Sequence, residues 1–404
     1  MTGIEVKLRA LDHSFPYLYP SRKIEIKTGD GTIATPVRAA TFYEYHAKQK
    51  TPTAATLDSP ALVNMKRLGP DELTDLLSKN ETYGKLLKAI ETSSHNGQYA
   101  ALRIAVMQPT RTPPTDEKPS AMDLLGHLRT REKFLRLIIK LQQEAKLSVI
   151  TIPFMELPFD EYKPLMLQLS RALKDAGVEP MFLLDLNYAA FEQMLKLLVG
   201  EVGTPIIGLL YRPYRAYPLN YDLVSQYHDR DVAFFMININ RYDADFDDIS
   251  TMHYLPFFGN DLYAVRVPSS FHAKADDEPG PGGGTVASRA PGLQQIRFLN
   301  RSSLKVKPLS PQLSPDSILA DLEYQDQDLV EKMLVNRNDV NVNIRNYLAL
   351  YFLSKVHELK ASLLEFGRLR EFITEGSTKD YISEQPSLEP VLRGLEKPTS
   401  PSEG

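Results

Sequence analysis

Between Leu147 and Pro268 the apolar positions come in short solid runs, and polar residues gather where the runs stop. The runs are Ser148–Phe154, Glu179–Asp185, Pro205–Tyr211, Val232–Asn238 and Asp261–Val267. These runs predict short apolar strands that end in polar residues. Phe159–Gly177 and Tyr188–Val202 lie between them with apolar residues at helical spacing, the first ending in a glycine. Strand and helix alternating at this pitch predict parallel βαβ units. The expectation is an α/β fold, a (β/α)8 TIM-like barrel. Active sites of such barrels lie at the carboxyl ends of the strands. Here those ends carry Glu156, Asp185, Asn187, Arg212, Asn238, Asn240 and Arg241.

The pattern extends to both sides. Ile24–Ile26 and Thr32–Val37 flank Thr28-Gly-Asp-Gly31, a hairpin signal. Leu68-Gly-Pro-Asp-Glu opens a helix over Leu68–Ser78, with acidic residues in its first turn. Thr82–Ser93 predicts a second helix, Ala101–Met107 a strand and Arg129–Ala145 an amphipathic helix. Thr110–Ser120, rich in proline and charge, predicts a loop. Residues 275–292, with Asp-Asp-Glu-Pro-Gly-Pro-Gly-Gly-Gly, predict a mobile insertion. Ile296–Val306 resumes a strand-like pattern, and Ser314–Leu334 and Val342–Thr374 are helical in period. The expected domains are a barrel over 1–310, a C-terminal helical extension over 311–383 and a disordered tail over 384–404.

Composition narrows the chemistry. The 404 residues carry a net charge of −4, so tight non-specific binding to nucleic acid would require a local basic patch. No cysteine is present, which excludes disulfides, thiol catalysis and cysteine-ligated zinc. The eight histidines show no i,i+4 or H-x-H spacing, so no metal is expected. Neither a P-loop, a G-x-G-x-x-G nor a G-x-S-x-G is present, and no cofactor is expected. No apolar run is long enough to cross a membrane, and Met1–Ala10 lacks the apolar core of a leader. The expectation is a soluble, cytoplasmic protein without membrane contact.

Gly31-Thr-Ile-Ala-Thr-Pro-Val37 resembles the opening of the tRNA-guanine transglycosylases, where Gly-Thr-x-x-Thr-Pro precedes the first barrel strand. Leu68-Gly-Pro-Asp-Glu-Leu73 is similar to that family's Leu-Thr-Pro-Glu-Glu-Leu, and Phe258-Gly-Asn-Asp-Leu-Tyr-Ala-Val265 to its Gly-Val-Asp-Met-Phe-Asp-Cys-Val. Met181–Asn187, a helix and Pro205–Tyr211 match the spacing of its base-holding strand–helix–strand unit. The resemblance spans residues 24–310 and implies a barrel that binds nucleic acid or a modified base. It implies tRNA or DNA as partner, and a catalytic paralogue subunit docked through the C-terminal helix. The departures fall on the chemistry. The family's nucleophilic aspartate matches Ala264, its supporting aspartate falls near Met107, and its cysteine zinc ligands are missing. The resemblance therefore implies a pseudoenzyme without the usual base exchange. The alternative is an active barrel enzyme, a transglycosylase or hydrolase, that uses relocated carboxylates.

Asp185, Asp261 and Glu156 are the candidate catalytic carboxylates. Asp185 suits a general base or a ligand acceptor, or else an N-cap for the following helix in competition with Asn187. Glu156 and Asp185 would form an acid/base couple if they face one another. Arg212 and Arg215, beside two tyrosines, suit a phosphate clamp or a stack on a base, or else a solvated loop. Asn238, Asn240 and Arg241 suit contacts to a base or carbonyl, or else a turn.

Overall fold

The computed structural model describes residues 3–11, 22–41, 60–96, 100–111, 119–213, 216–239, 260–265, 297–299 and 306–308. The expected insertion at 275–292, the helical extension and the tail lie outside the described residues, as do Arg215, Asn240 and Arg241.

The fold is mixed α/β. An antiparallel sheet comes first, from β1 (Glu5–Leu11), β2 (Arg22–Thr28) and β3 (Gly31–Ala34). The hairpin expected at Thr28–Gly31 joins β2 and β3. Parallel strands follow: β4 (Val37–Arg38), β5 (Ala40–Thr41), β6 (Ala61–Leu68), β7 (Leu102–Pro109), β8 (Ile150–Ile152), β9 (Pro180–Asp185), β10 (Ile206–Leu210), β11 (Ala233–Ile239) and β12 (Leu262–Val265). Seven helices accompany them among the described residues: α1 (Pro70–Ser78), α2 (Asn80–Asn96), α3 (Ala121–Gly126), α4 (Leu128–Glu144), α5 (Phe159–Asp175), α6 (Phe191–Lys196) and α7 (Pro218–Ser225). A short hairpin, β13 (Arg297–Leu299) with β14 (Val306–Pro308), occupies the stretch whose pattern predicts one strand.

The parallel strands form two sheets. One has six strands in the order β4–β12–β11–β10–β9–β8, the other three in the order β5–β6–β7, and among the described residues no sheet closes on itself through strand pairing. Ala39 alone separates β4 from β5, and its N–H donates to the Tyr263 carbonyl at 2.9 Å. Between β7 and β8 no strand ladder forms among the described residues; one main-chain bond and three side chains serve in its place. Ser148 Oγ accepts from Arg103 N (3.0 Å), and Ser148 N donates to Arg103 O (3.1 Å). The buried Gln142 amide of α4 accepts from Thr151 N (2.8 Å) and donates to Thr151 O (2.9 Å). Gln108 does the same for Phe154, at 3.0 and 2.9 Å. Pro153, which has no N–H, explains why β8 is shorter than its apolar run.

The core follows from the runs. All six residues of β9 and all five of β10 are buried, as strands covered on both faces require. Gly208 lets β9 and β11 approach β10. A Cβ there would lie 2.3 Å from Leu183 Cδ2 and 3.3 Å from Ile237 Cδ1. Helix α4 turns Phe134, Leu135, Ile138 and Leu141 inward, at helical spacing. The helical run Tyr188–Val202 starts later than its period predicts, at Phe191. It passes into a π-helical turn over Leu197–Val202 and stops at Gly203, in the left-handed region with φ 60°.

Candidate functional site

A cavity of about 460 Å³ opens at the carboxyl ends of β6, β7, β9, β10 and β11. Its floor is apolar, from Met65, Val106, Met122, Leu210 and Ile237. Its rim is charged, from Lys66, Arg67, Glu72, Arg111, Asp185 and Arg212, with Asn238 beside them.

Asp185, the last residue of β9, is 3% exposed and collects donors from several directions. Arg212, just past β10, grips it through two parallel bonds, Nε to Oδ1 at 2.9 Å and an Nη to Oδ2 at 2.8 Å. The Asn187 N–H donates to Oδ1 at 2.9 Å, closing a turn. Arg111 adds an ion-pair contact to Oδ2 at 3.4 Å. The capping expectation is therefore corrected. The helix begins at Phe191 behind Ala190, and neither Asp185 nor Asn187 caps it. The Asp185 bond raises the Arg212 guanidinium above its already high ordinary value, so it stays a cation at any working pH. The Tyr221 hydroxyl donates to the Arg212 carbonyl at 2.8 Å and fixes the start of that loop.

Glu156 reaches the same cluster through Arg111, whose Nε lies 3.2 Å from Glu156 Oε2. The two carboxylates thus share one arginine. Arg111 also lies over the Phe154 ring, 5.4 Å from its centroid. That ring meets Tyr188 edge-on at 5.4 Å and Tyr162 at 6.1 Å. Tyr188 donates to the Leu157 carbonyl at 2.7 Å, and Tyr162 accepts from Met155 N at 3.0 Å. These bonds pin the Pro153–Pro158 segment that carries Glu156.

Asn238 sits near the end of β11 at φ 67°, a left-handed conformation that asparagine tolerates better than most residues. The pairing of β11 with β12 shifts register between Met236 and Ile239, and this irregularity brings Asn238 to the cavity. Its Oδ1 accepts from Arg67 at 2.8 Å.

The expected site residues therefore divide. Asp185, Arg212 and Asn238 line one cavity, Glu156 joins them through Arg111, and Asn187 supports Asp185 through its backbone. Asp261 lies elsewhere. It precedes β12, at the amino ends of the strands, and both of its oxygens are held by Arg22 at 2.9 and 2.6 Å. Phe234 N also donates to it, at 2.7 Å. Burial pushes the Asp261 carboxyl above its ordinary value against the opposing pull of Arg22. As a relocated nucleophile it would have to leave this staple. Ala264 is a fully buried residue of β12. Met107 lines a second, largely apolar cavity between β6, β7 and helices α1 and α2. Lys66, Arg67, Arg111 and Gln108 are cavity residues that sequence patterning does not single out. For Lys66 and Arg67 a signal exists, since they stand near the end of an apolar strand.

Among the described residues no cluster of histidine and carboxylate side chains is placed to hold a metal, and no helix is long and apolar enough to cross a membrane. Comparison with protein-family models finds none that matches the chain, and comparison with curated proteins finds no match.

Proposed function

We propose that the parallel strands make one closed (β/α)8 barrel and that its carboxyl-end cavity binds a nucleotide unit of a nucleic acid without covalent base exchange. The barrel reading is supported by strand order. Segment 37–41 borders β12 through β4 and β6 through β5, the Ser148 and Gln108 bonds link β7 to the segment that carries β8, and Gln142 of α4 satisfies the outer edge of β8. The strands then follow one another in chain order around a ring.

The binding reading rests above all on the Arg111–Asp185–Arg212 cluster over an apolar floor. Four cations face the cavity or its rim, against the carboxylates of Glu72, Asp185 and Glu156. On a chain of net charge −4 this is a local excess of positive charge. Guanidinium forks suit phosphate oxygens, and an apolar floor suits the face of a base. The resemblance to the transglycosylases points the same way, and Ala264 at the matched position offers no nucleophile.

The test is fluorescence anisotropy with labelled single-stranded RNA, single-stranded DNA and unmodified tRNA at two salt concentrations. Binding by the wild-type chain, weakened by salt, is expected. The Arg111→Ala/Arg212→Ala double variant is expected to bind at least about tenfold more weakly. Equal affinity of the variant, or no binding by the wild type, defeats the reading.

One observation favours the enzymatic alternative. The Glu156 side chain is 57% exposed and, among the described residues, is held by an ion pair with Arg111 at one oxygen, whereas Asp185 and Asp261 are bonded through both oxygens. A transglycosylase or hydrolase built on this cavity would use Glu156. Activity lost in Glu156→Gln while binding survives would identify it.

A further inference from the structure

Arg111 and Arg212 share a buried carboxylate, yet they are held differently. Arg212 makes two short directed bonds to Asp185. Arg111 touches Asp185 and Glu156 only at ion-pair distance, 3.4 and 3.2 Å. Its guanidinium also lies over the Phe154 ring, 5.4 Å from the centroid. A guanidinium carries five N–H donors. Arg212 spends two on Asp185, and the side chains of Arg212 and Arg111 remain 34% and 27% exposed at the cavity. Asp185 itself is saturated by Arg212, Asn187 and Arg111, so it does not compete for a ligand's donors.

We propose that Arg111 and Arg212 form a seat for a phosphate monoester, that Asp185 is its positioning residue, and that Glu156 is an internal anion that holds Arg111 until the ligand displaces it. The seat rests on the nucleotide reading only for the identity of the group attached to the phosphate. Charge supports the exchange. With Asp185 and Glu156 both present, the two arginines are neutralised. With Glu156 displaced they carry one net positive charge. A phosphate monoester brings nearly two negative charges near neutral pH and three acceptor oxygens, against one charge and two oxygens from Glu156. Glu156 is more than half exposed, so releasing it to water costs little.

The experiment is calorimetric titration of the full-length chain with inorganic phosphate, guanosine 5′-monophosphate and guanosine, on wild type, Glu156→Gln and Arg111→Ala. Thermal melts of each variant check that it folds. The monophosphate is expected to bind at least tenfold more tightly than the nucleoside. Glu156→Gln is expected to tighten the monophosphate about fivefold, the worth of one partly exposed ion pair, and to leave the nucleoside unchanged. Arg111→Ala is expected to erase the difference between the two. Equal binding of monophosphate and nucleoside overturns the seat. So does a Glu156→Gln affinity for the monophosphate equal to or weaker than wild type, or no binding of any of the three probes. Phosphate and monophosphate binding without RNA binding upholds the seat and removes the nucleic-acid reading. RNA binding that is indifferent to Arg111 and Glu156 but weakened by Arg212→Ala removes the seat and keeps that reading.

Discussion

Arg22 and Asp261 stand 239 residues apart in the chain and meet in a two-point ion pair whose side chains are each 1% exposed. Arg22 sits on β2, outside the parallel strands, and Asp261 introduces β12. The same guanidinium donates to the carbonyls of Val232 (2.7 Å) and His228 (3.0 Å). It therefore bolts the amino-terminal sheet to the amino ends of β11 and β12, away from the cavity.

Arg22→Met leaves Asp261 buried without its partner. Losing one member of such a pair costs about 3–5 kcal/mol. Chemical denaturation is expected to report a loss of this size, and nucleotide affinity of the folded fraction is expected to stay within about twofold of wild type. An affinity loss at unchanged stability would place this pair in the binding site.

Asp185→Ala frees two cations at the cavity and removes the acceptor of the Asn187 turn. The expected stability loss is about 1–3 kcal/mol, the cost of leaving hydrogen-bonded partners unpaired. Monophosphate binding is expected to weaken even so, because the two guanidinium groups lose their common anchor. Stronger binding by Asp185→Ala would mean that Asp185 competes with the ligand rather than orienting its receptors.

His228 gives the protein an acid sensitivity. Among the described residues neither ring nitrogen has a hydrogen-bond partner, and burial, followed by the nearby Arg22 charge, pulls its pKa down to about 3. In the unfolded chain a histidine titrates near 6.5. Between these values the unfolded chain holds one proton more than the folded one. This group therefore makes stability fall as pH drops through the window, by about 1.4 kcal/mol per pH unit. His228→Leu is expected to flatten the dependence of unfolding free energy on pH between 4 and 6 by about one proton. An unchanged slope would show that the ring is protonated in the native state.

Incubation with radiolabelled guanine and unmodified tRNA is expected to leave the tRNA unlabelled, and elemental analysis of the same protein is expected to find no stoichiometric zinc. A methyl group at Ala264 has no lone pair with which to attack a sugar carbon. Asp185 is saturated by donors, and Asp261 is sealed behind Arg22. Label incorporation abolished by Glu156→Gln would establish the enzymatic alternative.

Strand positions are legible in the chain because each buried strand is a solid apolar run, and Asp185 and Arg212 are legible because they stop such runs. Arg111 is not, since a stretch rich in proline and charge announces a loop and nothing about what the loop holds. Asp261 misleads for a different reason. It flanks an apolar run at the wrong end, and its carboxylate looks reactive until its partner, 239 residues away, is known. Gln108 and Gln142 are invisible because they act as substitutes for backbone, a role that no periodicity encodes. The first strand also has a signal in the chain: Val6 and Leu8 alternate with Glu5, Lys7 and Arg9, and β1 forms over them.

The stitching between β7 and β8 makes the fold locally adjustable. A backbone ladder breaks only when the strands part, whereas an amide side chain can rotate away and return. Gln108 belongs both to this seam and to the cavity wall. The Phe154 amide, bonded to Gln108 instead of to a neighbouring strand, is expected to exchange with solvent through a small local opening and faster than amides between β9 and β10. Occupancy of the cavity and the exchange rate of a single proton are thereby tied to the same side chain, and Phe154 becomes a built-in reporter of whatever the cavity holds.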